Sequence, residues 1–278
     1  MLNPKQEEKF WRIILWMIAL ATVLLLTVII VHIVSRGIGS ISWSFLSENP
    51  RHMGRDGGIL PVLVGTLYLV AVSLLLAVPI GIGAAIYLTE YVRQGRLVSL
   101  IRFSTEALAG IPSIIFGLFG FVFFVIQLQL GWSVISGSLT LALMILPTIV
   151  RTSEEAIRSV PLSYREGSYA LGASRWQTVS RVVLPSAVPG ITVGVILGLG
   201  RAVGETAAVL LTAGSSLHAP SSLVDPARSL AVHLYILASE GISMQRAYAT
   251  ATILVIAVLM INLLANLVMR RMASRHVA

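Results

Sequence analysis

The sequence predicts an all-α membrane protein with six transmembrane helices. Of its 278 residues, 56% are hydrophobic and 12% are charged, and the mean hydropathy of +0.88 lies far above that of a soluble domain. Six apolar runs are each close to or longer than the ~20 residues that a helix needs to cross a ~30 Å hydrocarbon core. Lys and Arg concentrate in alternate connections between these runs, which is typical of a multi-pass protein.

The apolar runs give the predicted spans in chain order. They cover residues 13–34, 59–89, 111–130, 134–150, 188–212 and 248–269. The first run is too long for the apolar core of a signal peptide, so we expect it to be retained as a span. The second run is longer than a bilayer requires, which predicts tilt or extension into water. Pro79, Gly81 and Gly83 predict a kink within it.

The connections decide the predicted orientation. With the N-terminus inside, the inner segments hold 14 Lys and Arg residues and the outer segments hold 5. The positive-inside rule therefore predicts that both termini are cytoplasmic, together with the basic loops 91–103 and 151–187. The polar segments 35–58 and 213–246 are predicted to lie outside.

Several classes of function are excluded by what the sequence lacks. The chain has no cysteine, which excludes disulfides, zinc thiolate sites and cysteine nucleophiles. It has no G-x-x-x-x-G-K-[ST] loop, no H-E-x-x-H and no G-x-S-x-G. Its net charge of +8 is spread over loops beside apolar spans rather than gathered for nucleic acid. We therefore expect no catalytic residue, no metal site, no cofactor in this chain and no nucleic-acid partner.

The inner loop 151–187 contains the most ordered motif, EGSYALGASRWQTVSRVVLP, at residues 166–185. Ser163 and Glu166 have the spacing of a capping box, which predicts a helix starting at Ser163. Gly172 can adopt the left-handed conformation that ends such a helix. Ser174 and Gln177 repeat the box, as S-x-x-Q, for a second short helix.

Pro185 is predicted to end this unit before the fifth span, and it also completes a family pattern. The stretch resembles the EAA loop of the membrane subunits of ATP-binding-cassette importers: E-A-A, three residues, G, nine residues, I-x-L-P. Glu166, Gly172, Leu184 and Pro185 match, and Val182 replaces the isoleucine. The resemblance implies that the first short helix docks into a groove on the ATPase. It assigns this coupling to Glu166, Gly167, Ser168, Tyr169, Ala170, Leu171 and Gly172. An amphipathic helix on the membrane surface is the alternative.

With the loop between spans four and five, residues 60–270 resemble the type I (MetI-like) importer permease fold. We accordingly divide the chain into two parts. Residues 1–58 form a cytoplasmic tail, the first transmembrane helix and an outer loop. Residues 59–278 form the permease core, with five helices and the EAA loop. The resemblance implies a multi-pass subunit of the cytoplasmic membrane. Its partners would be an ATPase dimer that binds ATP and Mg²⁺, a second permease, an external binding protein and lipid.

Two charges fall within the fifth predicted span. Each of Arg201 and Glu205 would cost roughly 2.5–3.5 kcal/mol or more if it faced lipid at the bilayer centre. On a continuous helix they lie about 40° apart, on the side of Gly190, Gly194 and Gly198. These glycines allow a neighbouring helix or a passing solute to approach closely. The charges therefore serve the transport path, or they form a pair that fixes helix packing.

The run G-R-A-V-G-E-T-A at 200–207 resembles the phosphate branch of these permeases, whose members carry GRAxGET here. The run AGIPSIIFGLFG at 109–120 is similar to the same branch, and within it to the PstA type. This implies a PstB-like ATPase dimer, a PstC-like second permease and a PstS-like phosphate-binding protein. Arginine suits phosphate because it is always charged and forked. The alternatives are an importer of sulfate or molybdate, a channel or membrane signalling subunit, and a membrane enzyme.

Overall fold

The computed structural model describes residues 4–93 and 95–274, so the last residues of the predicted basic tail, 275–278, lie outside the described residues. The regular secondary structure of the described chain is helical apart from one short antiparallel hairpin, formed by β1 (Pro50–Arg51) and β2 (Asp56–Gly57). The α-helices are α1 (Pro4–Gly37), α2 (Trp43–Ser47), α3 (Leu60–Ile86), α4 (Arg96–Ala109), α5 (Ser113–Gly120), α6 (Val134–Arg158), α7 (Leu162–Ala170), α8 (Arg175–Thr178), α9 (Leu184–Gly204), α10 (Ala207–Thr212), α11 (Leu230–Ser239) and α12 (Met244–Ser274).

Five stretches of the described chain are long and apolar enough to cross a membrane, and a bent pair of helices makes a sixth. The five are Glu7–Ser40, Leu60–Tyr91, Val134–Arg158, Arg175–Gly204 and Met244–Leu264. The bent pair joins Arg96–Ala109 to Ser113–Gln127 at an angle of 100°. The six-span architecture is thus obtained when the bent pair counts as one span.

The third span differs most from its prediction. The basic segment predicted as a loop contains α4, and the apolar run continues as α5 and a π turn that ends at Gln127. Pro112 lies at the bend and has no N–H to continue the helix, and it also disfavours helical geometry at the residue before it. The second arm has about 15 residues and spans about 22 Å at 1.5 Å per residue, less than a ~30 Å core.

The boundaries of the fourth and fifth spans are also corrected. Helix α6 continues to Arg158, well past the predicted end at Val150. Pro185 does not end the loop unit, because α8 runs through a π turn at Val179–Val183 directly into α9. Pro185 lies directly after this π turn, inside the helix that continues from Arg175 to Gly204.

The core of the bundle lies where α3 and α9 pack on α6. Its fully buried side chains come mainly from α3 and α6: Leu69, Leu141, Met144, Ile145 and Ile149. A Cβ on Gly81 would lie 2.7 Å from Ile149 Cγ2, so this glycine lets the two helices approach closely. Helix α1, by contrast, packs on α12 and leaves its apolar window unburied, which fits a lipid-facing helix.

The bundle has two ends, which we name by their helices. The α7 end carries α4, α7, α8 and the last turns of α3 and α6. The α11 end carries α2, the hairpin, α10 and α11. Helix α11 lies in the segment predicted to be a polar loop. It is apolar and largely buried, and the Ser229 side chain caps its start by accepting from the N–H of Val232.

Candidate functional site

The helix corner at the α7 end is built as the sequence predicts. Gly172 has φ +81°, the left-handed conformation that favours glycine. Its N–H donates to the Tyr169 carbonyl at 2.9 Å, and the N–H of Ala173 donates to the Ser168 carbonyl at 3.2 Å. These two bonds form a Schellman motif, which satisfies the last carbonyls of α7. The direction of the chain after α7 is therefore fixed by this glycine.

One of the two predicted capping boxes is present. The Ser174 hydroxyl accepts from the N–H of Gln177 at 3.3 Å, and the Gln177 side chain accepts from the N–H of Ser174 at 2.8 Å. The prediction of a capping box at Ser163 is wrong. Helix α7 begins at Leu162 with Pro161 as its N-cap residue, and no side chain caps it. Ser163 thus lies inside the first turn, where it cannot act as the N-cap.

Most of the predicted coupling residues form one exposed surface. Glu166, Gly167, Tyr169, Ala170, Leu171 and Gly172 are exposed, and Leu171 is 91% exposed. A Cβ on Gly167 or Gly172 would meet no atom within 4 Å, so nothing in the described chain covers either glycine. Ser168 instead points inward, and its hydroxyl lies 2.9 Å from that of Thr178.

Large apolar side chains extend this surface. Trp176 of α8 is 62% exposed, and Tyr164 and Leu162 of α7 are 53% and 65% exposed. Exposed apolar groups of this kind mark either a protein–protein interface or contact with the membrane surface. We call residues 162–176 of this unit the α7–α8 surface.

The fifth span places Arg201 and Glu205 in different surroundings. Helix α9 ends at Gly204, and Glu205 has the extended backbone angles φ −73° and ψ 130°. The placement of both charges on one helical face is therefore wrong, because the helix does not continue to Glu205. The buried Glu205 carboxylate instead accepts from the N–H of Ala208, at 3.2 Å, beside the start of α10.

Arg201 is half-buried and has no carboxylate beside it among the described residues. Within residues 4–93 and 95–274, it makes no ion pair or side-chain hydrogen bond, including any with Glu205. The neighbouring Gly200 and Gly204 border open space, since a Cβ on either would meet no atom within 4 Å. The cation is therefore available to a group from outside the described chain.

The other glycines of this helix have a packing role. A Cβ on Gly190 would lie 2.6 Å from Cβ of Ala156, and one on Gly194 would collide with Thr152. Both contacts are with α6. Of the two uses that the sequence allowed for these glycines, the structure shows close approach of a neighbouring helix.

A buried arginine that sequence reasoning placed in an outer loop lies at the α11 end. Arg228 is 5% exposed, and its Nε and Nη2 donate to the Ser215 carbonyl at 2.9 and 2.6 Å. Its Nη1 lies 3.3 Å from Nδ1 of His233. Burial, together with the Arg228 charge, lowers the pKa of His233 to about 4. The imidazole is therefore neutral at neutral pH and serves as a partner for the guanidinium.

The loop after α10 is held by a carboxylate. Hydrogen bonds from Ser221 and Ser222 lower the pKa of Asp225 to about 2, so Asp225 stays ionised. The carbonyls of Asp225 and Leu223 accept from the first N–H groups of α6, each at 2.9 Å. The loop thereby caps α6 and fixes the chain between α10 and α11.

Comparison with known proteins identifies the fold and the family. Residues 77–276 match the family described as binding-protein-dependent transport system inner membrane component. The chain is 36% identical over 251 residues to the probable ABC transporter permease protein YqgI of Bacillus subtilis (84% of this chain, 85% of that protein). It is 40% identical over 224 residues to phosphate transport system permease protein PstA 1 of Mycobacterium tuberculosis (79% of this chain, 73% of that protein).

A solved structure agrees with this assignment at the level of the fold. The chain resembles the MetNI methionine ABC transporter in an inward-facing conformation, with a TM-score of 0.66 and 22% sequence identity. The match covers 77% of this chain and 95% of that one. The chain therefore has the type I importer permease fold, and it belongs to the inner-membrane components of binding-protein-dependent transport systems as a permease subunit of an ABC importer.

Proposed function

We propose that this chain is the PstA-type permease of an ATP-driven phosphate importer and forms half of its translocation path. The observation that carries the proposal is Arg201, a half-buried guanidinium in the fifth span that has no carboxylate partner among the described residues. Leaving such a charge unpaired in a membrane protein is costly, which makes a functional role the default interpretation. An anion passing through the bundle supplies the missing counter-charge.

The relatives support phosphate as that anion. The M. tuberculosis PstA 1 protein, 40% identical, and the Pasteurella multocida PstA protein, 32% identical, are both named as phosphate transport permeases. A guanidinium offers forked donors that match the oxygens of phosphate. We expect a weak transit contact at Arg201, since tight binding there would trap the ion. Affinity would reside in a separate PstS-like protein outside the membrane.

The α7–α8 surface is proposed to dock the ATPase. It presents the exposed Glu166, Tyr169 and Leu171 with uncovered glycines on either side. A groove on a PstB-like ATPase dimer could therefore approach the backbone closely at Gly167 and Gly172. The ATP and Mg²⁺ would be bound by that partner, and a PstC-like permease would complete the path. This assignment places the α7 end and both termini in the cytoplasm, as the count of basic residues predicts.

The direct test is co-purification with the ATPase, followed by uptake in proteoliposomes. The complex is assembled with the second permease and the binding protein, and radiolabelled phosphate uptake is measured with and without ATP. We expect ATP-dependent uptake that excess unlabelled phosphate suppresses and that sulfate and molybdate leave unchanged. ATP-dependent uptake of radiolabelled sulfate or molybdate, but not of phosphate, would assign the chain to another oxyanion. Co-purification without uptake of any of these ions would favour a signalling subunit.

A further inference from the structure

Arg165 points away from the α7–α8 surface and into the bundle. Its side chain is 14% exposed, although it lies beside the exposed Glu166 on α7. Its Nη2 and Nε lie 2.7 and 3.2 Å from Oε1 of Glu90, whose side chain is 7% exposed. Glu90 belongs to the π turn Tyr87–Tyr91 at the end of the second span. The ion pair therefore joins the helix proposed to meet the ATPase to the end of α3.

The same guanidinium also caps the end of α6 and the turn that follows it. Its Nη1 donates to the Val160 carbonyl at 2.7 Å, and its Nη2 donates to the Ile157 carbonyl at 2.9 Å. The last carbonyls of a helix lack intrahelical partners and carry the negative end of its dipole, so a cation is favoured there. Arg165 thus connects three elements: α7, the end of α6 and the end of α3.

The connection to α3 is the informative one. The polypeptide itself attaches α7 to α6 on one side and, through α8, to α9 on the other. Helix α3 has no such covalent link, and Glu90 and Arg165 are 75 residues apart. A second contact reaches the same π turn, because the Arg175 guanidinium of α8 lies 5.2 Å from the centre of the Tyr91 ring. Both short helices are therefore tied to one turn of α3.

We propose that Glu90 and Arg165 are a positioning pair that makes the end of the second span move with the coupling helix during the transport cycle. This inference rests on the proposed docking of the ATPase at the α7–α8 surface. Opening the pair would leave the Glu90 carboxylate buried without a counter-charge, which is strongly unfavourable. An exposed pair would separate readily under load, whereas this one stays closed. The movement of α7 is then delivered to α3 as well as to α6 and α9.

If the pair had a purely structural role, Arg165 would only cap α6 and Glu90 would only neutralise the charge of Arg165. Substitution of Glu90 distinguishes these two roles. Replacing Glu90 by alanine cuts the contact with α3 but leaves the Ile157 and Val160 carbonyls available to Arg165. The cap therefore survives in Glu90→Ala, and the link does not.

The chain offers a matched control in Glu154. Its side chain is also almost buried, 9% exposed, and lies at the same end of the bundle. It holds Arg102 of α4 and Arg158 of α6, each at 2.6 Å, and neither arginine belongs to α7. Glu154→Ala thus removes a buried carboxylate of the same kind without cutting a contact of the coupling helix.

The experiment compares the two variants in the complete importer, reconstituted in proteoliposomes with its ATPase, second permease and binding protein. Phosphate transported per ATP hydrolysed is measured on equal amounts of assembled complex. We expect Glu90→Ala to retain ATP hydrolysis and to lower this ratio about fivefold or more. Coupling between two sites in a protein usually has an effect of this size. Glu154→Ala should keep the wild-type ratio, even where its thermal stability falls.

A wild-type ratio in assembled Glu90→Ala would overturn the proposal, and so would an equal fall in both variants. Should Glu90→Ala fail to assemble, Glu90→Gln keeps the side chain's shape and a neutral acceptor for Arg165. It should lower the ratio in the same direction by a smaller factor, and an unchanged ratio would again refute the pair. Absence of uptake by the wild-type complex would instead refute the proposed function.

Discussion

The buried charges at the α7 end and those around the break in the fifth span are arranged in opposite ways. Glu90 and Glu154 at the α7 end each accept from an arginine at 2.6–2.7 Å. At the break, Glu205 accepts from a backbone N–H, and Arg201 has no carboxylate among the described residues. A closed ion pair fixes two elements together, whereas an unpaired cation stays available to a mobile anion. The α7 end is therefore suited to transmit movement, and the break in the fifth span is suited to bind a passing solute.

The same contrast applies to the backbone. The α7–α8 unit is defined by local capping, with a Schellman motif at Gly172 and a capping box at Ser174. The fifth span instead stops at Gly204 and restarts at Ala207. Broken helices inside membrane proteins are tolerated where they line a cavity or are covered by protein. The break at Glu205 thus agrees with a solute path next to Arg201.

The largest effect on the α7 end should come from Gly172→Val. A branched side chain at φ +81° costs about 1 kcal/mol or more in backbone strain, so the chain leaves this conformation and α7 takes a different direction. We expect the variant to reach the membrane. Less ATPase should co-purify with it, and ATP-driven uptake should be lost. The control is Gly83→Ala, which lies in α3, outside the α7–α8 surface, with open space around it. Normal uptake by Gly172→Val would show that the glycine corner does not aim the helix.

A smaller effect is expected from removing the cap of α8. Ser174→Ala deletes the acceptor for the N–H of Gln177, at a cost of about 1 kcal/mol, and so speeds local opening of α8 by about fivefold. Amide hydrogen exchange across residues 175–178 measures this change. The matched variant is Ser163→Ala, which should leave exchange in α7 unchanged because Ser163 caps nothing. Equal protection in Ser174→Ala and the unaltered protein would count against the box.

Sequence reasoning succeeded mainly where a feature depends on neighbouring residues, although the local spacing at Ser163 gave a wrong capping box because α7 begins at Leu162. Gly172 and the Ser174 box require only local spacing, and the apolar runs required only length and composition. It failed where the outcome depends on distant packing. Helix α11 was taken for a polar loop because its apolar residues lie within a longer polar stretch. The prediction placed Glu205 beside Arg201 because it assumed an unbroken helix.

The Glu90–Arg165 pair had no local signal. The two residues are 75 positions apart. Glu90 adjoined the end of the second predicted span, Arg165 lay within the basic inner loop, and neither was singled out. The bend before Ser113 had a signal in Pro112, but the basic segment 91–103 was interpreted as a loop, so the first arm of the bent pair, α4, was missed. In physical terms, capping and hydropathy are short-range properties, whereas charge pairing and helix breaks are settled by the assembled bundle.

Arg201 is proposed to lie without a carboxylate so that it can bind phosphate during passage. The most direct measurement is ATP-driven phosphate uptake by Arg201→Gln combined with Glu205→Gln, in proteoliposomes containing the assembled importer. Hydrogen bonds to a charged group contribute about 1.5–3 kcal/mol each, so losing the guanidinium should slow uptake by about tenfold to a hundredfold. Arg181→Gln removes an exposed charge from the opposite end of the same continuous helix and should leave uptake unchanged. We predict that the double variant assembles, leaves phosphate capture by the external protein intact and shows this slowed uptake. Wild-type uptake by the assembled double variant would contradict the account.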